Sequence, residues 1–159
     1  MPVLSFADAI SLLPANGALI GLDLGTKTIG VAASDPARRI AVAVETIGRK
    51  KFGSDAARIL ELAAERRAAG FVLGLPLNMN GTEGARAQSV RAFARNFAKL
   101  TELMVALWDE RLSTAAVERS LIAADVSRAK RKAVIDQHAA AFILQGALDR
   151  LARGVTNGD

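Results

Sequence analysis

The sequence predicts an α/β fold: a five-stranded mixed sheet with flanking helices, in the order βββαβαβαα. Three apolar runs follow one another between residues 18 and 46, joined by links too short to hold a helix. Beyond residue 54, apolar residues recur at helical spacing and alternate with two short apolar runs. A hydrophobic content of 51% with 23% charged residues, over 159 residues, suits one globular domain that buries most of its apolar surface.

Residues 1–17 are weakly patterned, contain Pro2, Pro14, Asn16 and Gly17, and read as an N-terminal extension with one short helix over 6–13. Strands are predicted over 18–24, 28–34 and 40–46, with Gly25 or Asp35-Pro36 in the links, which suits a hairpin meander. Ser54 is placed to cap a helix whose face carries Ala56, Ile59, Leu60 and Ala63 and which Gly70 ends. Residues 71–75 form a short buried strand stopped by Pro76, and a loop rich in Asn and Gly follows over 78–82. The next helix runs over 85–100 with Val90, Phe93, Phe97 and Leu100 on its apolar face. Residues 103–108 make the fifth strand, Ser113 or Thr114 caps a helix to about residue 124, and Ser127 caps a last one to about residue 150. Strand and helix alternating after a meander imply a mixed sheet. The domain is expected over 18–151, with 152–159 as a tail.

Cysteine is absent, so disulfides and thiolate metal sites are excluded. The first eight residues lack a basic leader followed by an apolar core, and the run over 18–24 is interrupted by Asp23 and too short to span a bilayer. A soluble cytoplasmic protein with no membrane partner is expected. The net charge of +5 favours polyanionic partners, because each neutralised phosphate releases condensed counterions.

Three acids stand where acids are costly. Asp23 interrupts an apolar strand, and an unpaired carboxylate buried there would cost several kcal/mol or be forced to protonate. The plainer alternative is an Asp that caps the Gly25 turn. Asp109 and Glu110 directly follow the fifth strand, at the edge where ligands gather in open sheets; the alternative is a solvated acidic turn paired with Arg111. Asp136 shares one helical face with Ala140, Ile143 and Ala147, so it either pairs with an arginine or meets other acids around a cation. Oxygen-only ligation suits Mg²⁺ or Mn²⁺, and clustered carboxylates that hold such ions can support phosphodiester hydrolysis. His138, two residues beyond Asp136, is expected to turn away from the acid's face and to be structural.

Four segments are then recognisable. Residues 21–32 (GLDLGTKTIGVA), 74–82 (GLPLNMNGT), 109–114 (DERLST) and 135–140 (IDQHAA) resemble, in order, the signature blocks of the YqgF/RuvX family, described as bacterial Holliday junction resolvases and as pre-16S ribosomal RNA nucleases. The resemblance runs collinearly over residues 18–151. It implies a ribonuclease H-like fold related to the resolvase RuvC and metal-dependent endonuclease chemistry. It also implies that Asp23, Glu110 and Asp136 are the catalytic metal ligands, with Asp109 a substitute for Glu110 that sequence alone does not separate.

Basic side chains are available to hold a nucleic acid by its backbone. Arg86, Arg91, Arg95 and Lys99 lie on the second helix, and Arg128, Lys130, Arg131 and Lys132 cluster just before Asp136. Lys27, Arg111 and Asn78 of the Asn-Gly loop complete the set. An aromatic content of 4% without tyrosine argues against a base-stacking platform. The expected substrate is precursor 16S rRNA; a four-way DNA junction is the rival and calls for a homodimer, whereas RNA processing admits a monomer. Asp23-Leu-Gly-Thr-Lys27 also resembles the first phosphate loop of actin-like ATPases and sugar kinases, but the second Asp-Gly phosphate motif of those enzymes is missing here. A non-catalytic binding module is disfavoured because buried negative charge hinders contact with a polyanion.

Overall fold

The chain opens with a short strand, Val3–Ser5 (β1), which runs into a one-turn helix, Phe6–Ala9 (α1), and a 3₁₀ turn over Ile10–Leu12. The strands Leu19–Leu24 (β2), Thr28–Ser34 (β3) and Ala41–Gly48 (β4) follow as a meander, and then the helix Phe52–Glu65 (α2) and the strand Gly70–Leu75 (β5). The helix Ala85–Ala98 (α3), the strand Met104–Asp109 (β6) and the helices Glu110–Ala123 (α4) and Arg128–Asn157 (α5) complete the chain. This computed structural model describes the backbone of residues 2–157 and, among these, the side chains other than 113–118, 120, 132–137 and 154–157.

The strands form one mixed sheet in the order β1-β6-β5-β2-β3-β4, in which β3 runs antiparallel to both its neighbours and the β1-β6, β6-β5 and β5-β2 pairs are parallel. The five central and outer strands β4-β3-β2-β5-β6 have the ribonuclease H-like arrangement that the family resemblance implies. Period-two alternation divides each strand between two cores. On one face Ile20, Leu22 and Leu24 of β2 join Phe71, Leu73 and the apolar stripes of α2 and α3. On the other, Leu19, Val72, Ala106 and Trp108 pack against Ala140, Ile143, Leu144, Ala147 and Leu148 of α5.

The sixth strand is the main departure from the expected sheet. Residues 3–5, expected within an extension, pair with Val105, Ala106 and Leu107 of β6. Three residues cannot display a readable alternation, and the pairing joins chain segments about a hundred residues apart. Helix boundaries also differ. α2 starts after Lys51 instead of at Ser54, and the Asp55 carboxylate accepts from the Lys50 N–H at 3.1 Å in place of a side-chain cap. It ends at Glu65, with Arg67 two residues beyond in the left-handed conformation at φ 50°, while Gly70 belongs to β5, packed on Met104. α4 begins at Glu110, directly off β6, with no loop leading to Ser113. Leu100 lies beyond α3 and is exposed. Ser127 caps the last helix as expected, accepting from the Lys130 N–H at 3.3 Å.

Phe6 ties the N-terminal segment to the sheet. Its side chain is only 2% exposed and meets the Trp108 ring edge-on, with centroids 5.5 Å apart. Phe6→Ala is expected to lower the unfolding free energy by about 3–5 kcal/mol, measured as a shift in the urea denaturation midpoint.

Candidate active site

Asp23 occupies a row of the sheet almost stripped of side chains. Its antiparallel partner on β3 is Gly30. On the other side β5 pairs Leu22 with Leu73, so the next place along brings Gly74 beside Asp23, and Gly74 pairs in turn with Trp108. Residues opposite one another point to the same face, here the α5 face. Two glycines therefore flank the carboxylate where two side chains would otherwise crowd it. Gly21, two residues earlier on the same face, lets α5 approach: a Cβ there would stand 2.7 Å from the Leu144 Cβ and 3.0 Å from the Ala140 carbonyl oxygen.

Glu110 fills the space at Gly74. A Cβ on Gly74 would lie 2.5 Å from Glu110 Oε1 and 2.5 Å from Ile143 Cδ1, so a side chain here would push the carboxylate out of its present position. The side chain reaches this position because α4 starts at Glu110 without an intervening loop. Burial pushes the Glu110 carboxyl up to about 7; the Asp23 charge adds to the shift, Arg86 opposes it, and Asp109 adds a smaller push. Asp23 and Glu110 thus act on each other electrostatically across Gly74.

Asp109 has a different role. It accepts from Arg111 Nη2 at 2.7 Å, from Nε at 3.0 Å and from the Arg111 backbone N–H at 3.0 Å, and this guanidinium holds its carboxyl below the ordinary range. The structure therefore separates two neighbours that the sequence left open: Asp109 is occupied by Arg111, and Glu110 faces Asp23. Arg111 Nη1 also donates to the Met79 carbonyl at 3.1 Å, which ties the 78–82 loop to the start of α4. That loop is closed on itself by Asn78 N–H to the Thr82 carbonyl at 2.9 Å and by the Asn78 amide to the Thr82 hydroxyl at 3.0 Å. Arg111 and Asn78 are thus both committed to holding this loop.

Asp23 lines a cleft of about 280 Å³ between β3, β4 and α5, together with Glu45, Thr46, His138 and Ala140. Glu45 is spoken for by Arg58, whose Nη2 donates at 2.7 Å. His138, expected to turn away from the face of Asp136, shares this cleft with Asp23. α5 departs from helical geometry at His138 (φ −116°, ψ 17°), so regular helical spacing does not carry across it, and the imidazole lines the cleft. The Asp136 and Lys132 side chains lie outside the described residues. Among the described residues no group of three acids, histidines or cysteines could hold a metal. The carboxylates of Asp23 and Glu110 nonetheless form an oxygen-only pair that raises the proton affinity of one member, and such a donor set fits a hard divalent cation.

The basic residues are scattered more widely than the acids. Arg86 approaches the Leu24 carbonyl at 3.5 Å and carries its charge toward Glu110. Arg91 is engaged by Glu83 at 2.7 Å, while Arg95 and Lys99 are exposed on α3. Lys27 is exposed in the β2–β3 turn, and Arg128 and Lys130 are exposed at the start of α5. Arg131 turns back to the Val126 carbonyl at 2.8 Å. Arg49, which sequence reasoning passed over, lies at the same sheet edge and donates to the Gly25 carbonyl at 2.7 Å. Its only signal in the sequence is its position just past a strand end.

A family model described as RuvX, Holliday junction resolvase, matches residues 17–150. The chain belongs to the RuvX family. Within its reach, the chain is 72% identical over 151 residues to a Rhodopseudomonas palustris (strain BisA53) protein provisionally named a pre-16S rRNA nuclease, covering 95% of this chain and 93% of that one. It is 69% identical over 150 residues to a Nitrobacter winogradskyi protein of the same name, covering 94% and 92%. Thermus thermophilus RuvC in complex with a Holliday junction substrate is similar at a TM-score of 0.45 and 13% identity, covering 64% of this chain and 67% of that chain. No described helix of this RuvX family member is long and apolar enough to cross a membrane.

The Glu110 environment has a consequence for stability. At pH below about 4.5 folded and unfolded chains both hold the Glu110 proton, and nothing is lost. As pH rises from about 4.5 to about 7, the unfolded chain releases this proton while the folded chain still holds it, and the fold loses up to about 3 kcal/mol, fully by pH 7 and above. Glu110→Gln is therefore expected to stabilise the metal-free protein at pH 8 and to change little at pH 4.5, read from urea denaturation in EDTA.

Proposed function

We propose that this chain is a divalent-metal-dependent endonuclease that hydrolyses phosphodiester bonds in the 5′ maturation of precursor 16S rRNA. The observation that carries the reading is the Asp23–Glu110 pair, brought together across Gly74 at the edge where β2, β5 and β6 end. Family membership and the names of the close relatives support the nuclease chemistry and the RNA substrate. Asp23, Glu110 and Asp136 are the proposed ligands of Mg²⁺ or Mn²⁺; the family's signature block over 135–140 supports Asp136, and Ala140 of that block packs over Gly30 beside Asp23. When bound, such ions supply an activated water and neutralise charge on the leaving oxygen.

The chain's own residues then have distinct tasks. Asp23, fixed in the central strand, sets the position of the site within a rigid sheet. Glu110, with its proton affinity near neutrality, gives up its proton when it binds a cation, so metal uptake and activity rise with pH across this range. Arg111 holds Asp109 away from the centre and keeps the 78–82 loop beside it, where the loop borders the approaching strand. Lys27, Arg86, Arg95, Lys99, Arg128, Lys130 and Lys132 contact phosphates without reading bases. Residues 18–151 carry this machinery, and the N-terminal segment completes their sheet. The enzyme acts in the cytoplasm, as rRNA maturation requires.

The family description favours a second reading, resolution of four-way DNA junctions by a homodimer. Cleavage of a precursor 16S 5′ segment and of a synthetic junction, side by side in Mn²⁺ or EDTA, separates the two. Metal-dependent cutting of the RNA is expected, with Asp23→Asn, Glu110→Gln and Asp136→Asn each reducing it more than about a hundredfold. Cutting of the junction alone supports the resolvase; variants as active as the wild type overturn the three-acid assignment.

A further inference from the structure

A second site lies on the opposite face of the same sheet edge. Arg49 follows β4, and two contacts fix its guanidinium: Nη1 to the Gly25 carbonyl at 2.7 Å, and the Phe93 ring, whose centre is 5.9 Å away. Arg86, in the first turn of α3, approaches the adjacent Leu24 carbonyl at 3.5 Å. Both arginines line a small cleft of about 50 Å³ with Gly25, Thr26, Ser89 and Phe93. No acid lines it, and among the described residues neither arginine is in an ion pair. Each guanidinium has five N–H donors and spends one on a carbonyl, so most of the donors remain for a ligand.

Two cations sharing a cleft repel each other unless an anion joins them. The size of the cleft suits the non-bridging oxygens of a phosphate and excludes a base. Its place along the chain links it to the carboxylates: Gly25 is two residues beyond Asp23, and the Arg86 charge is felt at Glu110. We infer that this cleft is a phosphodiester subsite, in which Arg49 and Arg86 grip the backbone phosphate next to the one presented to Asp23 and Glu110. The inference rests on the nuclease reading and adds to it a positioning residue, Arg49, and a fixed point on the substrate strand. A planar guanidinium held over an aromatic ring is preorganised for bidentate contact with phosphate, which a lysine could not reproduce.

The test is fluorescence anisotropy of a labelled single-stranded RNA in EDTA, so that binding is read without cutting, over a series of salt concentrations. Arg49→Gln and Arg86→Gln are each expected to weaken binding roughly tenfold and to reduce the slope of log affinity against log salt by about 0.7. Arg66→Gln, at the end of α2, serves as the control and is expected to leave both unchanged. Arg49→Lys, which keeps the charge, is expected to retain the slope while losing affinity, and thermal melting of each variant checks that it folds. Affinity and slope unchanged in Arg49→Gln and Arg86→Gln, while the wild type binds and cuts RNA, overturn the subsite alone. Inorganic phosphate that displaces the strand from the wild type at equal phosphate concentration also overturns it, because the cleft then takes a free anion. A wild type that neither binds nor cuts RNA overturns the nuclease reading as well.

Discussion

The rest of the structure depends on how closely α5 and α4 are allowed to approach one face of the sheet. Gly21 admits the backbone of α5 at Ala140, and Gly74 admits the Glu110 carboxylate and the Ile143 side chain. A methyl group at Gly21 would meet the Leu144 Cβ and the Ala140 carbonyl, so α5 would have to lift off the sheet, and one at Gly74 would displace the Glu110 carboxylate and the Ile143 side chain. The same close approach removes water from Asp23 and Glu110, strengthens their mutual repulsion and raises the proton affinity of Glu110. Packing and electrostatics therefore oppose each other at this edge. The fold tolerates the cost because large apolar faces on both sides of the sheet are buried.

Burial alone does not mark an acid as functional, as Asp55 shows. It is 3% exposed, yet its carboxylate closes the start of α2 by accepting from the Lys50 backbone N–H, a purely architectural role. Asp109 and Glu45 are likewise answered by arginines, Arg111 and Arg58. Glu110 differs because the largest charge acting on it is another carboxylate and the arginine that opposes it is Arg86, which is exposed on α3. The distinction lies in what faces each acid, which is a property of three-dimensional arrangement.

That distinction also explains what could be read in advance. Period and punctuation are local, so the meander, the buried strand over 71–75 and the helices were legible, and so was the oddity of Asp23 within an apolar strand. The choice between Asp109 and Glu110 was not legible, because it depends on α4 beginning without a loop and on the reach of Arg111. The irregular backbone at His138 breaks the spacing on which helical-face arguments rest, and this hid the access of His138 to the Asp23 cleft. β1 is too short to show alternation, and Arg49 gains meaning only from Gly25 and Phe93, which are distant in sequence. Long-range pairing is the common cause.

The placement of charge restricts how a nucleic-acid strand can meet this edge. Asp23 and Glu110 lie on the α5 face, whereas Arg49 and Arg86 meet on the α3 face, beside Leu24 and Phe93. A strand that engages both must cross the ends of β2 and β5 instead of running along either face. Of the chain's six phenylalanines, Phe93 is committed to Phe97 and Phe52, and Phe71 and Phe97 are fully buried. The buried rings Phe71, Phe93 and Phe97 cannot stack on a base, so at this edge the contacts open to a strand are those to its backbone.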